Sequence, residues 1–120
     1  MTRSDEDVLR AACEAFNARD VDAAVALMHP DVDWPNAWEG GRLVGRAAVA
    51  AYWRRQFQSI SSTLEPQRFS HEPDGTVAVT VRQVVRDAAT DELLSDSQVT
   101  HRFRLRDGLV TRMDVGEAGG

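Results

Sequence analysis

Ser95-Asp96-Ser97-Gln98-Val99-Thr100-His101-Arg102-Phe103-Arg104-Leu105, running into Arg106-Asp107-Gly108, is the stretch whose pattern decides the fold. Successive side chains of a strand point to opposite faces. The spacing therefore places Val99, His101, Phe103 and Leu105 on one face, and Thr100, Arg102 and Arg104 on the other. Asp107-Gly108 is a hairpin signal, because both residues tolerate the positive φ of a tight primed turn. It predicts a return strand over 109–115. Upstream, 76–86 repeats the pattern, with Val77, Val79 and Val81 against Ala78, Thr80 and Arg82. Glu72-Pro73-Asp74-Gly75 reads as a turn. The strand expected before it, 64–71, carries Pro66, which suits an edge. Long strands with one apolar and one arginine-bearing face need cover on the apolar side.

The first half of the chain supplies that cover. Ser4 is an N-cap, and Asp5, Glu6 and Asp7 suit the positive end of a helix dipole. Val8, Leu9, Ala12, Cys13 and Phe16 recur at helical spacing, predicting a helix that ends near Ala18. Asp20 caps a second, short helix with Val21, Ala24, Val25, Leu27 and Met28, stopped at His29-Pro30. Val32-Asp33-Trp34 reads as a short strand, with Pro35 at its edge or end. Residues 36–45 are loop-like. A third helix starts at Arg46, carries Val49, Trp53, Gln56, Phe57 and Ile60 on one face with Tyr52 beside them, and fades over 59–62. Helices first and strands later make the class α+β: a curved sheet cupping helices, with a pocket at its open end.

Composition bounds what such a domain does. The chain has 120 residues, room for one domain, so 1–120 is read as a single unit. Its 14 basic and 19 acidic residues give a net charge of −5, which argues against nucleic-acid and anionic-membrane partners. All the basic residues are arginine, which excludes lysine Schiff-base chemistry. The acidic start, without an apolar run, predicts no signal peptide and a cytoplasmic setting. One cysteine, Cys13, allows no internal disulfide and reads as a small buried hydrophobe. His29, His71 and His101 fall on separate elements without metal-ligand spacing, so no metal is expected. Neither a phosphate loop nor a nucleophile elbow is present, and no cofactor is expected.

Four phrases, in this order and spacing, carry a family resemblance. They are Phe16-Asn17-Ala18-Arg19-Asp20, His29-Pro30-Asp31-Val32-Asp33-Trp34, Gly45-Arg46-Ala47-Ala48-Val49 leading to Tyr52-Trp53, and His101-Arg102-Phe103-Arg104-Leu105-Arg106-Asp107-Gly108-Leu109-Val110. From about Val8 to Val115 the chain resembles the nuclear transport factor 2-like superfamily, in particular its SnoaL-like branch. The resemblance implies a cone-shaped α+β barrel: a strongly bent, mostly antiparallel sheet wrapped around three helices from the N-terminal half, with an internal pocket. Members of the superfamily include ketosteroid isomerase, scytalone dehydratase, limonene epoxide hydrolase and polyketide cyclases. Others serve only in association, so the fold alone does not settle function.

His101 is the most informative candidate, since alternation aims it at the apolar interior, where an imidazole stays neutral unless a carboxylate is close. Its position resembles that of the oxyanion-donating Asp of ketosteroid isomerase, and of the catalytic His of SnoaL-like cyclases. The competing reading is a packed histidine. Where ketosteroid isomerase has its general base and its oxyanion-hole Tyr, this chain has Trp34 and Ala12, so that reaction is not expected. The resemblance to polyketide cyclases makes Asp114 a second catalytic candidate, an acid/base partner for His101. Without a bulge, parity turns Asp114 outward with Arg112 and turns Thr111, Met113 and Val115 inward. Asp33 and Glu39 flank the expected mouth, with Asp33 alternating outward from Trp34. Phe16, Trp34, Trp38, Tyr52, Trp53, Gln83, Phe103 and Met113 are the candidate ligand-binding set: flat apolar walls with an amide and a phenol. The expected ligand is a small hydrophobic molecule, either simply bound or acted on by proton transfer near a carbonyl. The outer sheet face, bearing Arg82, Arg102, Arg104 and Arg112, is the expected surface of a homodimer.

Overall fold

The computed structural model describes residues 4–36 and 40–117. Ser4 caps the first helix, α1 (Asp5–Asn17), its side chain accepting a hydrogen bond from the Asp7 amide at 3.1 Å. Three acidic residues follow in the first turn, where the helix dipole favours them. α1 buries Val8, Leu9 and Phe16. Arg19, at φ 63°, turns the chain so that Asp20 caps α2 (Val21–Ala26) by accepting from the Ala23 amide. The Arg19 guanidinium donates to the Ser62 carbonyl and the Ser61 hydroxyl, and it lies 4.4 Å from the Phe57 ring centroid. Asn17 makes two 2.8 Å hydrogen bonds to the Leu64 backbone. Together these two residues fasten the C-terminal end of α1 to the sheet.

The strands are β1 (Met28–Pro35), β2 (Arg42–Val44), β3 (Ile60–His71), β4 (Val77–Asp87), β5 (Leu93–Arg106) and β6 (Leu109–Glu117), with α3 (Arg46–Ser59) between β2 and β3. They form one curved, unclosed sheet in the order β2-β1-β6-β5-β4-β3. Every neighbouring pair is antiparallel except β1 and β6, which run parallel. β5 and β6 join through Asp107 and Gly108, both at positive φ, the two-residue primed turn that the sequence signals. β3 is an edge strand with an irregular register between Pro66 and Arg68, in keeping with a proline that cannot donate to a ladder.

Three expectations need correction. The segment after Asn36 is not all loop, because Arg42–Val44 forms β2 against Asp33–Pro35. α2 stops at Ala26, and β1 begins at Met28, which is fully buried and pairs with Val110. Residues 60–62 do not prolong α3: β3 starts at Ile60, immediately after the helix, opposite Asp87.

The core lies between the concave sheet face and the helices. It includes Val77, Val79 and Val81 of β4, Val8 and Leu9 of α1, and Val49, Tyr52 and Trp53 of α3. On the outer face, Arg82 pairs with Asp96 at 2.7 Å and Arg102 with Glu72 at 3.2 Å. Among the described residues no helix is long and apolar enough to cross a membrane.

Candidate ligand cavity

The side chains on the concave face do not fill the space beneath the helices. A cavity of about 190 Å3 remains, walled by β4, β5 and β6 on one side and by α1 and α3 on the other. Val115 lines it while staying half-exposed, which marks a side where the cavity reaches the surface.

Parity explains most of the sheet wall. Val79, Val81 and Gln83 alternate along β4, and His101 and Phe103 along β5. β6 breaks the rule. Arg104 sits opposite Arg112, but Leu105 sits opposite Val110, so Thr111 is an extra residue on β6. This β-bulge resets the alternation. Val110 and Met113, three residues apart, therefore both face inward and line the cavity. The inward expectation for Thr111 fails at the bulge, where its hydroxyl donates to the Arg104 carbonyl at 3.1 Å.

His101 is 7% exposed and faces the cavity. Burial alone pushes its pKa down to about 4, because a charged imidazole would lose its hydration there. The ring is therefore neutral at physiological pH, with one nitrogen donating and the other accepting. Among the described residues, nothing hydrogen-bonds it. Its neighbour is the Phe103 ring, edge-on with centroids 6.0 Å apart. From Phe103, rings continue through Trp34 (6.3 Å), Trp53 (5.5 Å) and Phe16 (5.2 Å) to Phe57 (5.1 Å). This tilted and edge-on series joins β5 to the helices, and such pairs favour that geometry.

The other polar groups of the wall form two pairs. Gln83 Nε2 donates to Ser62 Oγ at 3.4 Å, and Gln56 Nε2 donates to the Tyr52 hydroxyl at 3.3 Å. Cys13 also lines the cavity, and burial raises its thiol pKa to about 11, so it stays protonated. Among the described lining residues, none bears a formal charge at neutral pH.

Of the candidate ligand-binding residues, Phe16, Trp34, Tyr52, Trp53, Gln83, Phe103 and Met113 all line this cavity. Trp38 and Glu39 lie outside the described residues. Asp114 does not join His101, and this corrects its candidacy as a catalytic partner. Continued from the hairpin pairs Arg106–Leu109 and Leu105–Val110, an unbroken register would set Asp114 opposite His101; the extra residue Thr111 shifts it by one, so Asp114 sits opposite Arg102 and faces outward. There it belongs to a ring of ion pairs. Arg112 reaches Asp114 at 2.8 Å and Asp33 at 2.9 Å, while Arg42 reaches Asp33 at 2.6 Å and Asp114 at 3.1 Å. Arg112 in particular holds the Asp114 carboxyl below the usual carboxylate range. Asp33 is outward as its alternation predicts. Ser62 and Gln56 were missed as lining residues. Starting β3 at Ile60 would have found Ser62, which shares the parity of Leu64. Among the described residues, no group of three or more His, Cys, Asp or Glu side chains could hold a metal ion.

By sequence, no curated protein matches the chain. By structure, TerC co-crystallised with polyporic acid superposes with a TM-score of 0.80 at 24% identity, over 92% of this chain and 88% of TerC. A nuclear transport factor 2-like protein of unknown function from Burkholderia pseudomallei gives 0.80 at 22% identity, over 94% and 89%. A putative polyketide cyclase from Silicibacter sp. gives 0.79 at 26% identity, over 95% and 88%. The family model for the SnoaL-like domain matches residues 9–113. With that match over most of its length and the bent sheet around three helices, the chain belongs to the SnoaL-like family of the nuclear transport factor 2-like superfamily.

Proposed function

We propose that the protein binds a small, uncharged, largely apolar molecule carrying at least one hydrogen-bonding oxygen. The observation that carries this reading is a neutral His101 facing a cavity whose described lining residues include no charged side chain. No hydrogen bond from a described residue occupies the ring nitrogens, which stay accessible from the cavity, and a ligand oxygen there would supply a partner. Size points the same way. An engineered apolar cavity of about 150 Å3 takes up benzene, and this one, at about 190 Å3, is somewhat larger. TerC, of the same fold, was crystallised with polyporic acid. Titration with 2-naphthol and with naphthalene-2-carboxylate tests the reading. The neutral compound should bind and raise the melting temperature, by roughly 2.7 kcal/mol of stabilisation at a hundred times its Kd. The carboxylate should not bind. Equal binding of the two, or none by either, would overturn it.

The second reading is a cofactor-free enzyme of the cyclase or isomerase type, with His101 as oxyanion donor or proton acceptor near a carbonyl. The same imidazole favours it, and so does the likeness to putative polyketide cyclases. Against it stands Asp114, the expected acid/base partner, which pairs with arginines on the outer face. Deuterium exchange at the α-carbon of 2-tetralone separates the two readings. Binding without accelerated exchange supports the first. Acceleration that His101→Gln abolishes supports the second.

A further inference from the structure

The polar groups on the sheet wall of the cavity lie in two separate places. His101 on β5 sits opposite Val79 on β4. Gln83 follows Val79 by four residues on the same strand, and the β4–β5 register is unbroken between those positions. Four residues of strand span about 13 Å. Between the two groups the wall is apolar: Val79 and Val81, at 2% and 1% exposure, point into the cavity. At the far end, Gln83 holds Ser62 only through the 3.4 Å contact, and Ser62 is 2% exposed. Among the described residues, no donor reaches the Gln83 amide oxygen. Among the described residues no side-chain nitrogen or oxygen is both fully buried and unpartnered, so the free hydrogen-bonding atoms of His101 and Gln83 open onto this one cavity at two places across a valine floor, within reach of a ligand. A ligand with one polar group answers only one of them.

We propose that the cavity recognises a molecule with a hydrogen-bonding oxygen at each end of an apolar body, one end at His101 and the other at Gln83 and Ser62. This inference rests on the small-molecule reading above and narrows it to a ligand class. A hydrogen bond of about 2.8 Å at each end leaves roughly 8 Å between the ligand oxygens once both are subtracted from the strand span. The curvature of the sheet brings the inward tips closer still. Uncharged two-ring aromatics with oxygens on opposite rings have that shape.

The test compares 2,6-dihydroxynaphthalene, 2-naphthol and naphthalene by calorimetric titration of the wild-type protein, Gln83→Leu, Gln83→Met and His101→Leu. Each ligand-free variant is melted first. Should Gln83→Leu not fold, Gln83→Met, which keeps the length of the side chain, takes its place. The diol should bind the wild type about tenfold more tightly than 2-naphthol, the worth of one further hydrogen bond. Either Gln83 variant should bring the diol down to the affinity of 2-naphthol, and His101→Leu should weaken it by a similar factor. If 2-naphthol binds but the second hydroxyl adds nothing, or if both folded Gln83 variants keep the full diol preference, two-ended recognition is wrong while the small-molecule reading stands. If no member of the series binds, that reading falls and takes this one with it.

Discussion

Replacing His101 with Gln should flatten the acid limb of the protein's stability curve. In the unfolded chain the imidazole titrates near its ordinary 6.5, whereas in the folded chain burial lowers that value to about 4. Between these two pH values the unfolded state binds a proton at His101 that the folded state refuses. Stability therefore rises with pH across the window, is fully present above about 6.5, and has lost this contribution by about 4. At about 1.4 kcal/mol for each pH unit between the two values, the loss is about 3 kcal/mol. For a domain this small that is a substantial share of the total, and it corresponds to a fall of roughly 10 °C in melting temperature between pH 7 and pH 4. The groups facing the ring leave the sign unchanged: Phe103 and the valines do not titrate, and the Cys13 thiol, at about 11, stays neutral throughout. Carboxylates held low by their partners, such as Asp96 beside Arg82, add their own losses towards the bottom of the window. Those groups, with His29 and His71, are common to both proteins. The difference between wild type and His101→Gln therefore isolates one imidazole. Urea denaturation at half-unit pH steps, with the His101 ring proton shifts followed by NMR, measures it. Parallel curves for the two proteins, or a ring titrating near 6.5 in the folded state, would mean that the imidazole is hydrated and that the cavity is not the medium described above.

Trp53→Ala should cost about 3–5 kcal/mol in urea denaturation, because this 6%-exposed side chain joins Phe16 to Trp34 in the ring series. The Cys13 thiol, half-buried and held protonated, should react with an aromatic disulfide reagent at pH 8 more slowly in the native protein than in urea. Bound 2-naphthol should slow that reaction further, and a native rate equal to the unfolded rate would contradict the raised thiol pKa. Asp114→Asn should leave 2-naphthol affinity unchanged and lower stability by no more than about 1 kcal/mol, an effect that shrinks with added salt, since the ion-pair ring is partly solvated. A tenfold loss of affinity in Asp114→Asn would place that carboxylate back in the site.

The elements that were legible in the sequence are those whose own residues carry the signal. Ser4 and Asp20 announce their helices because a short oxygen-bearing side chain there satisfies amides that a helix leaves unpaired. Val77, Val79 and Val81 announce a half-buried strand, and Asp107-Gly108 announces its turn, because sterics and φ are local matters. The pairing of β1 with β6 was not legible. Which strand receives Met28 depends on where the sheet edge lies after four further strands have formed, and nothing in 28–35 encodes that. β2 escaped for a related reason. Only three residues long and bearing a single inward apolar side chain, Leu43, it has no period of its own and exists because Trp34 and its neighbours offer an edge.

The candidate site was legible to the same depth. Counting by twos along β4 and β5 places Val79, Val81, Gln83, His101 and Phe103 together, as their shared cavity requires. On β6 the count runs true from Met113 to Asp114 and fails at Thr111. A bulge changes parity only for residues on its far side. Had the hairpin register run on without the extra residue, Asp114 would have stood opposite His101 and the carboxylate would have entered the cavity. The wall would then have held an acid and a base within reach of one another, the arrangement that proton transfer in both directions requires. With the extra residue at Thr111, Met113 gains the inward position, and Asp114 closes a ring with Arg42, Arg112 and Asp33 on the opposite side of the sheet. The position of one unpaired residue thus decides whether the wall facing His101 carries a charge or a hydrocarbon, and here it carries a hydrocarbon. That is the physical reason for placing recognition of a neutral molecule ahead of acid–base turnover.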